Sequence, residues 1–346
     1  MPPLAVRRIG RILIVPLRFP KSLCALLALA ALTSFGAASA AVPALRADVE
    51  AFVQEMAAKH GHDAGELRAL LSLAQTREAI LRAMKRPGTA VRWHEYRERI
   101  VERVRIENGV RFWRANKAVL ERAQQTFGVP AELIVATIGV ETLYGRHTGN
   151  LRVIDALSTL AFDYPPRAAF FRGELEEYLL LVREAGLDAL ATRGSYAGAI
   201  GIPQFLPSSY RKYAVDFDGD GRRDLAGSTA DAIGSVANYY RTYGWEPGAP
   251  VVIEARSGEA DLAPLLAGGI KPHTPVGVLR ARGLLIEEPV DDTAAATVFF
   301  VEEAEGPKLL LGLNNFYVIT RYNRSTNYAL AVHELARELR RAVGGT

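Results

Sequence analysis

Apolar residues recur at helical spacing along most of this chain, and that restricts it to folds built from packed helices. Val49, Phe52, Val53 and Met56 form an i, i+3, i+4, i+7 stripe, and Leu67, Leu70 and Leu71 begin another. Helical patterning covers residues 48 to about 85 and breaks at Pro87-Gly88. Residues 93–106 are amphipathic and strongly charged, Asn108-Gly109 reads as a turn, and residues 112–127 read as the next helix. Gly128-Val129-Pro130 ends that helix and opens another, with Pro130 near a first-turn position. Further helical stretches fall at 155–161, 167–185, 230–243 and 328–343. Between 246 and 305 the texture changes to short β-branched and aromatic runs, VVIEA and ATVFFVEE, separated by Gly and Pro. The expectation is a mostly α (α+β) protein: an accessory helical region at 41–92, a helical core at 93–245 and 306–346, and a small β-containing insert at 246–305. With 346 residues, 49% of them apolar, the chain can bury a sizeable core.

The first forty residues belong to a different class. Arg7, Arg8, Arg11, Arg18 and Lys21 precede an uncharged apolar stretch that ends in Ala38-Ser39-Ala40. A basic lead, a short apolar run and a small-x-small end describe a secretory signal peptide; the alternative is an uncleaved membrane anchor. Cleavage after residue 40 would remove five basic residues and no acidic one, taking the net charge from +4 to −1. The basic character therefore resides in the leader and supports no nucleic-acid partner. The single cysteine, Cys24, also lies in the leader, so the mature chain holds neither a disulfide framework nor a cysteine nucleophile. Cys24 stands at the start of the apolar run, which argues against a lipoprotein. The expected location is the periplasm.

The segment PAELIVATIGVETLYG, residues 130–145, carries the chemistry. At about 100° per residue, Glu141 falls about 20° from Ile134, between Thr137 and Ile138. A carboxyl group on a face that should be buried acquires a raised pKa. A carboxylic acid still protonated near neutral pH suits a general acid for glycosidic cleavage. A structural glutamate bonded to backbone or to an arginine satisfies the same periodicity. Farther on, GSYAGAIGIPQFLPSSYRKYAVDFDGDG places Gly194, Gly198 and Gly201 among small residues, where backbone can approach a neighbouring helix or a ligand. Ser195, Tyr196, Gln204 and Ser208 offer the hydroxyls and amide that bind sugars. Nucleotide-binding glycine motifs are absent from the sequence, as is HExxH, and Ser195 lies in GSYAG rather than GxSxG.

Five blocks resemble the membrane-bound lytic murein transglycosylase B family, in that family's order: GVETLYG (139–145), FDYPPRAAFF with GELEEYLLL (162–181), the glycine-rich block (194–221), DAIGSVANYY (231–240) and NNFYVITRYNRSTNYALAV (314–332). The resemblance implies a lysozyme-like helical core. It also implies cleavage of the β-1,4 bond between N-acetylmuramic acid and N-acetylglucosamine in peptidoglycan. Glu141 matches the family's single acid/base, which protonates the leaving oxygen and then accepts the proton of the muramic 6-hydroxyl, giving a 1,6-anhydro end. Ser195, Gln204, Tyr239, Tyr322, Asn323 and Tyr328 match cleft positions, and Tyr96 is a looser match. Arg167 matches one of two adjacent arginines, the other being Pro166 here. The partners implied are peptidoglycan glycan strands, with cell-wall synthesis or division proteins as further candidates. Two other readings remain open: a hydrolytic muramidase on the same substrate, and a non-catalytic peptidoglycan-binding module.

DFDGDGRRDLAG sets Asp216, Asp218 and Asp220 at positions 1, 3 and 5 of a calcium loop, with Gly221 at 6, Arg222 offering a carbonyl at 7 and Asp224 at 9. Position 12 is Gly227, so the usual bidentate glutamate is missing. The resembling family closes a similar loop with a later aspartate, here Asp231. Any calcium would be structural, since catalysis requires no cofactor. The alternative is an acidic turn without an ion.

Overall fold

The computed structural model describes residues 44–85 and 91–344. The expected leader (1–40) and the break at Pro87-Gly88 lie outside those residues. Three short helices come first: α1 (Ala47–His60), α2 (Ala64–Ser72) and α3 (Glu78–Met84). Their apolar stripes face the core as the spacing predicts, with Val53 and Met56 fully enclosed and Val49 and Leu70 half-buried. Gly61, at φ 64°, lets the chain leave α1 through a left-handed cap. The Asp63 side chain then caps α2 by accepting from the Glu66 N–H at 2.8 Å. These helices are clamped to the larger helical body through Asp155, which is 1% exposed. Its carboxylate accepts from Arg77, Arg152 and the backbone N–H of Gln75.

The helical body comprises α4 (Trp93–Ile100), α5 (Arg103–Ala115), α6 (Lys117–Phe127), α7 (Ala131–Thr142), α8 (Val153–Asp163), α9 (Ala168–Ala185), α10 (Pro207–Tyr213) and α11 (Thr229–Thr242). A two-residue ladder of β1 (Leu151–Arg152) and β2 (Arg193–Gly194) ties the start of α8 to the glycine-rich stretch. Gly128, at φ 71°, ends α6, and Pro130 is the N-cap of α7. Helix α7 is apolar on every side and buried accordingly: Leu133, Ile134, Val135, Ala136 and Ile138 are all enclosed. The expectation of a single apolar face is therefore corrected, because this is a central helix with neighbours all round. The expected turn at Asn108-Gly109 is also corrected. Both residues lie inside α5 and are buried. Asn108 Nδ2 donates to the Val104 carbonyl at 2.8 Å, and Gly109 makes room for Tyr144 and Leu339.

The insert contains β3 (Val252–Ala255), α12 (Ala263–Leu266), β4 (Thr274–Pro275), α13 (Val276–Ala281), β5 (Ala295–Glu303) and β6 (Gly306–Gly312). These strands form an antiparallel sheet in the order β3-β6-β5-β4. The sheet runs past the expected boundary at 305, because β6 pairs with β5 from Glu303↔Gly306 back to Thr297↔Gly312. Alternation along β6 serves two cores. Leu309 and Leu311 pack with Ile253, Val276 and Leu279 inside the insert, while Leu310 faces the main core. The chain closes with α14 (Asn314–Tyr322) and α15 (Thr326–Gly344). Among the described residues, no helix is long and apolar enough to cross a membrane.

Candidate active site

Glu141 sits in the last turn of α7 and is half-buried. The helix ends one residue later, and Thr142 fixes that end against the glycine-rich stretch. Its Oγ1 donates to the Ile202 carbonyl at 2.8 Å and accepts from the Gly145 N–H at 2.9 Å. The backbone then turns through Leu143 (φ 49°) and Tyr144 (φ 63°); Gln204 (φ 53°) is the third non-glycine residue with positive φ among those described. A left-handed conformation costs an ordinary residue roughly 1–2 kcal/mol, so this conformational strain is concentrated beside the candidate acid and in the glycine-rich block. Tyr144 is held by a hydrogen bond from its Oη to the Arg105 carbonyl at 3.0 Å, and its ring packs against Gly109 and Gly139.

Tyr328, on α15, is buried and donates its hydroxyl to Glu141 Oε1 at 2.5 Å. Burial pushes the Glu141 carboxyl up to about 7, while the Tyr328 hydroxyl pulls it the other way. Burial prevails because only one donor compensates the loss of water around the charge. The group therefore holds a proton near neutral pH and can both donate and retrieve it.

Tyrosines surround this carboxyl. Tyr322 stacks on Tyr328 with centroids 6.4 Å apart and donates its hydroxyl to the Pro203 carbonyl at 2.6 Å. Tyr239, on α11, donates to the Arg321 carbonyl at 2.6 Å. Tyr96, on α4, is buried, and that burial, with the Glu141 charge adding to it, holds its hydroxyl proton more tightly. The same charge acts on Tyr322, Tyr328 and Tyr240. Tyr240 was not singled out from sequence. It is fully buried, and its hydroxyl lies 2.8 Å from Thr137 Oγ1, one turn before Glu141 on α7. The second tyrosine of ANYY, following a cleft candidate directly, was the available signal.

The other candidates are distributed around this centre. Ser195 Oγ accepts from the backbone N–H groups of Ala197 and Ala199 at 3.3 and 3.1 Å, which fixes the bend of the glycine-rich loop. Gln204 donates its amide to the carbonyls of Thr148 and Gly201 at 3.0 and 2.9 Å. Gly194, Gly198 and Gly201 face Ala199, Leu157 and Leu225, so their missing side chains accommodate neighbouring protein. Ser208 is held by Glu174, to which its hydroxyl donates at 2.7 Å, and so serves packing. Asn323 is exposed just beyond α14. Arg167 is exposed with its guanidinium 4.3 Å from the centre of the Phe170 ring. Among the described residues, no hydrogen bond joins Arg167 to the Tyr328–Glu141 pair.

Of the five aspartates expected in the acidic loop, three bring their carboxylates together. Carboxylate oxygens of Asp216, Asp218 and Asp231 lie within 4.8 Å of one another. Asp220 and Asp224 stand outside that group: Asp220 accepts from the Arg222 N–H at 2.8 Å, and Asp224 caps the N–H groups of Ala226 and Gly227. Asp231 is buried near the start of α11 and accepts from the N–H groups of Phe217 and Asp224, each at 2.7 Å. Burial raises its proton affinity despite those donors. These three hard oxygen donors, one of them buried, are of the type calcium takes and would supply three of its roughly six to eight ligands.

The chain matches the Transglycosylase SLT domain over residues 44–337. It is 43% identical over 298 residues to the membrane-bound lytic murein transglycosylase B of Escherichia coli (strain K12), covering 83% of this chain and 81% of that protein. The catenated lytic transglycosylase SltB1 of Pseudomonas aeruginosa superposes with a TM-score of 0.83 at 48% identity, covering 87% of this chain and 99% of that one. An Escherichia coli lytic transglycosylase solved in complex with calcium gives a TM-score of 0.78 at 43% identity, covering 86% and 94%. The helical body around Glu141 is thus the lysozyme-like fold of those enzymes, and the chain belongs to the peptidoglycan lytic transglycosylases of the transglycosylase SLT family.

Proposed function

We propose that this protein cleaves the β-1,4 bond between N-acetylmuramic acid and N-acetylglucosamine with Glu141 as its single acid/base. Glu141 first protonates the oxygen leaving the anomeric carbon. The carboxylate so formed accepts the proton of the muramic 6-hydroxyl as that oxygen bonds to the anomeric carbon. The strand ends in a 1,6-anhydro sugar, water is not consumed, and Glu141 regains its proton.

One observation carries this reading: burial raises the proton affinity of Glu141 and the Tyr328 hydroxyl lowers it, and among the described residues no second carboxylate adds to the rise. A retaining hydrolase places a second carboxylate about 5–5.5 Å away. A carboxylate so near would raise Glu141 further by repulsion. Tyr96, Ser195, Gln204, Tyr239, Tyr322 and Asn323 are assigned to the walls of the glycan cleft, and Arg167 to its outer edge. Asp216, Asp218 and Asp231 are assigned to a structural calcium ion that supplies no chemistry. The leader-like sequence at 1–40 supports export to the periplasm, where the glycan lies.

Mass spectrometry of peptidoglycan digested with the purified protein tests the reaction. Anhydro-muropeptides are expected. Reducing ends alone would move the assignment to a hydrolytic muramidase, and an inactive protein that still pulls down peptidoglycan would move it to a binding module.

A further inference from the structure

A row of tyrosine rings leads from Glu141 to the surface. The Tyr322 ring lies 4.8 Å from that of Tyr239, which lies 4.6 Å from that of Tyr243. Tyr213 closes the row, 4.8 Å from Tyr239 and 5.5 Å from Tyr243. Exposure rises sharply at its end: Tyr239 is 5% exposed and Tyr243, the C-cap of α11, is 38% exposed.

The exposed ring is fixed in place. Tyr213 Oη donates to Tyr243 Oη at 2.9 Å. Beside it, Lys212 is exposed and holds its ammonium 5.2 Å from the centre of the Tyr213 ring, near enough for its charge to act on the Tyr243 hydroxyl. Tyr243 thus differs from Tyr240, which is enclosed, in offering one ring face to ligands while its hydroxyl is tied to Tyr213. An exposed ring held by its neighbours, with a cation over the adjoining Tyr213 ring, presents an apolar platform and an anion contact close together.

We infer that Tyr243 and Lys212 form an outer subsite for a peptide-bearing sugar of the glycan strand. Tyr243 stacks on the pyranose face, and Lys212 pairs with a carboxylate of the attached peptide. The subsite rests on the reading of Glu141 as the acid of a glycan-cleaving cleft, because the ring row is what connects the two places.

Turnover of glycan strands of graded length, with and without their peptides, tests this. Tyr243→Ala should lower kcat/KM on long strands by about three- to tenfold, mainly through KM, with the loss falling away as strands shorten. Tyr243→Phe, which keeps the ring, should restore most of that loss. Lys212→Ala should weaken peptide-bearing strands and spare peptide-free ones. A loss in Tyr243→Ala that is equal at every length, or none at all, overturns the platform. Equal losses on both strand types in Lys212→Ala overturn the carboxylate contact. Calorimetry with an N-acetylglucosamine hexamer provides a separate readout. If the parent forms no anhydro products, the acid/base reading fails, yet weaker hexamer binding by Tyr243→Ala would still support the platform and unchanged binding would remove it.

Discussion

Tyr328 donates its hydroxyl to Oε1 of Glu141 at 2.5 Å, and this bond opposes the burial that surrounds the carboxyl. The hydrogen bond stabilises the ionised form, whereas burial stabilises the protonated form, and burial prevails at about 7. Glu141 must hold a proton to act as acid, so activity should fall as pH rises through that value. Removing the donor in Tyr328→Phe leaves burial unopposed and raises the carboxyl further. The alkaline limb of the kcat/KM profile should then move up by about one to two pH units, since a charge-assisted bond is worth about 1.5–3 kcal/mol. Maximal activity should also drop, because the carboxyl loses the contact that aims it. A limb that stays in place or moves down would show that Tyr328 does not hold the ionised form.

The same carboxyl carries a stability signature. Its folded-state pKa of about 7 stands above the ordinary 4.5. Between those values the folded chain retains a proton that the unfolded chain has lost, so Glu141 costs stability as pH rises through the window. Above about pH 7 the cost is constant, at most about 3 kcal/mol. Glu141→Gln should therefore lower turnover by about a hundredfold or more while melting higher than the parent at pH 8. The difference in melting temperature should shrink toward pH 4.5. An equal difference at both pH values would assign it to packing rather than to the charge.

Asp216, Asp218 and Asp231 converge, while Asp220 and Asp224 stand outside that group. Calcium at a hundredfold excess over its dissociation constant should stabilise the parent by about 2.7 kcal/mol, read as a rise in melting temperature. Asp216→Asn and Asp218→Asn should abolish that rise with a smaller effect in chelator, because both are exposed, although they too accept loop N–H groups. Asp231→Asn should destabilise the protein most in chelator, because Asp231 is buried and its oxygens satisfy the Phe217 and Asp224 N–H groups there. Asp220→Asn should keep most of the response. A parent whose melting temperature ignores calcium, or an Asp220→Asn variant that loses the response as fully as Asp216→Asn, would refute this assignment of ligands.

Much of this architecture was legible in the sequence. Stripes such as Val49-Phe52-Val53-Met56 signal burial because period and packing face coincide on a surface helix. The placement of Glu141 among apolar residues was legible for the same reason. Its chemistry was not, because a wheel cannot tell a solvated end from an enclosed one, and α7 proved apolar on all sides. The two strand runs of the insert were visible, but its end was not. β6 belongs to the sheet through pairing with β5, a relation between segments that composition does not carry. Tyr240 was passed over because its role depends on Thr137, about a hundred positions earlier. The acidic loop showed its aspartates but not their rotamers, and those decide which carboxylates meet.

Gly109 is the clearest case of a local signal overridden by packing. Asn-Gly is a strong turn dipeptide, yet here it lies inside α5 with Tyr144 and Leu339 occupying the space of the missing side chain. Helix propensity alone predicts that Gly109→Ala stabilises the protein by about 1 kcal/mol. The added methyl, however, meets the Tyr144 ring and hydroxyl, and that hydroxyl is bonded to the Arg105 carbonyl at 3.0 Å. Overpacking of this kind costs about 1–3 kcal/mol and should outweigh the propensity gain. The displaced residue also stands three positions after Glu141, in the left-handed turn that ends α7, so the carboxyl should shift with it. Gly109→Ala is therefore expected to lower both the melting temperature and kcat. Tyr144→Phe removes the hydroxyl that the methyl would meet, so combined with Gly109→Ala it should recover part of the loss in packing. A Gly109→Ala protein that melts higher than the parent would show that α5 and Tyr144 can separate freely.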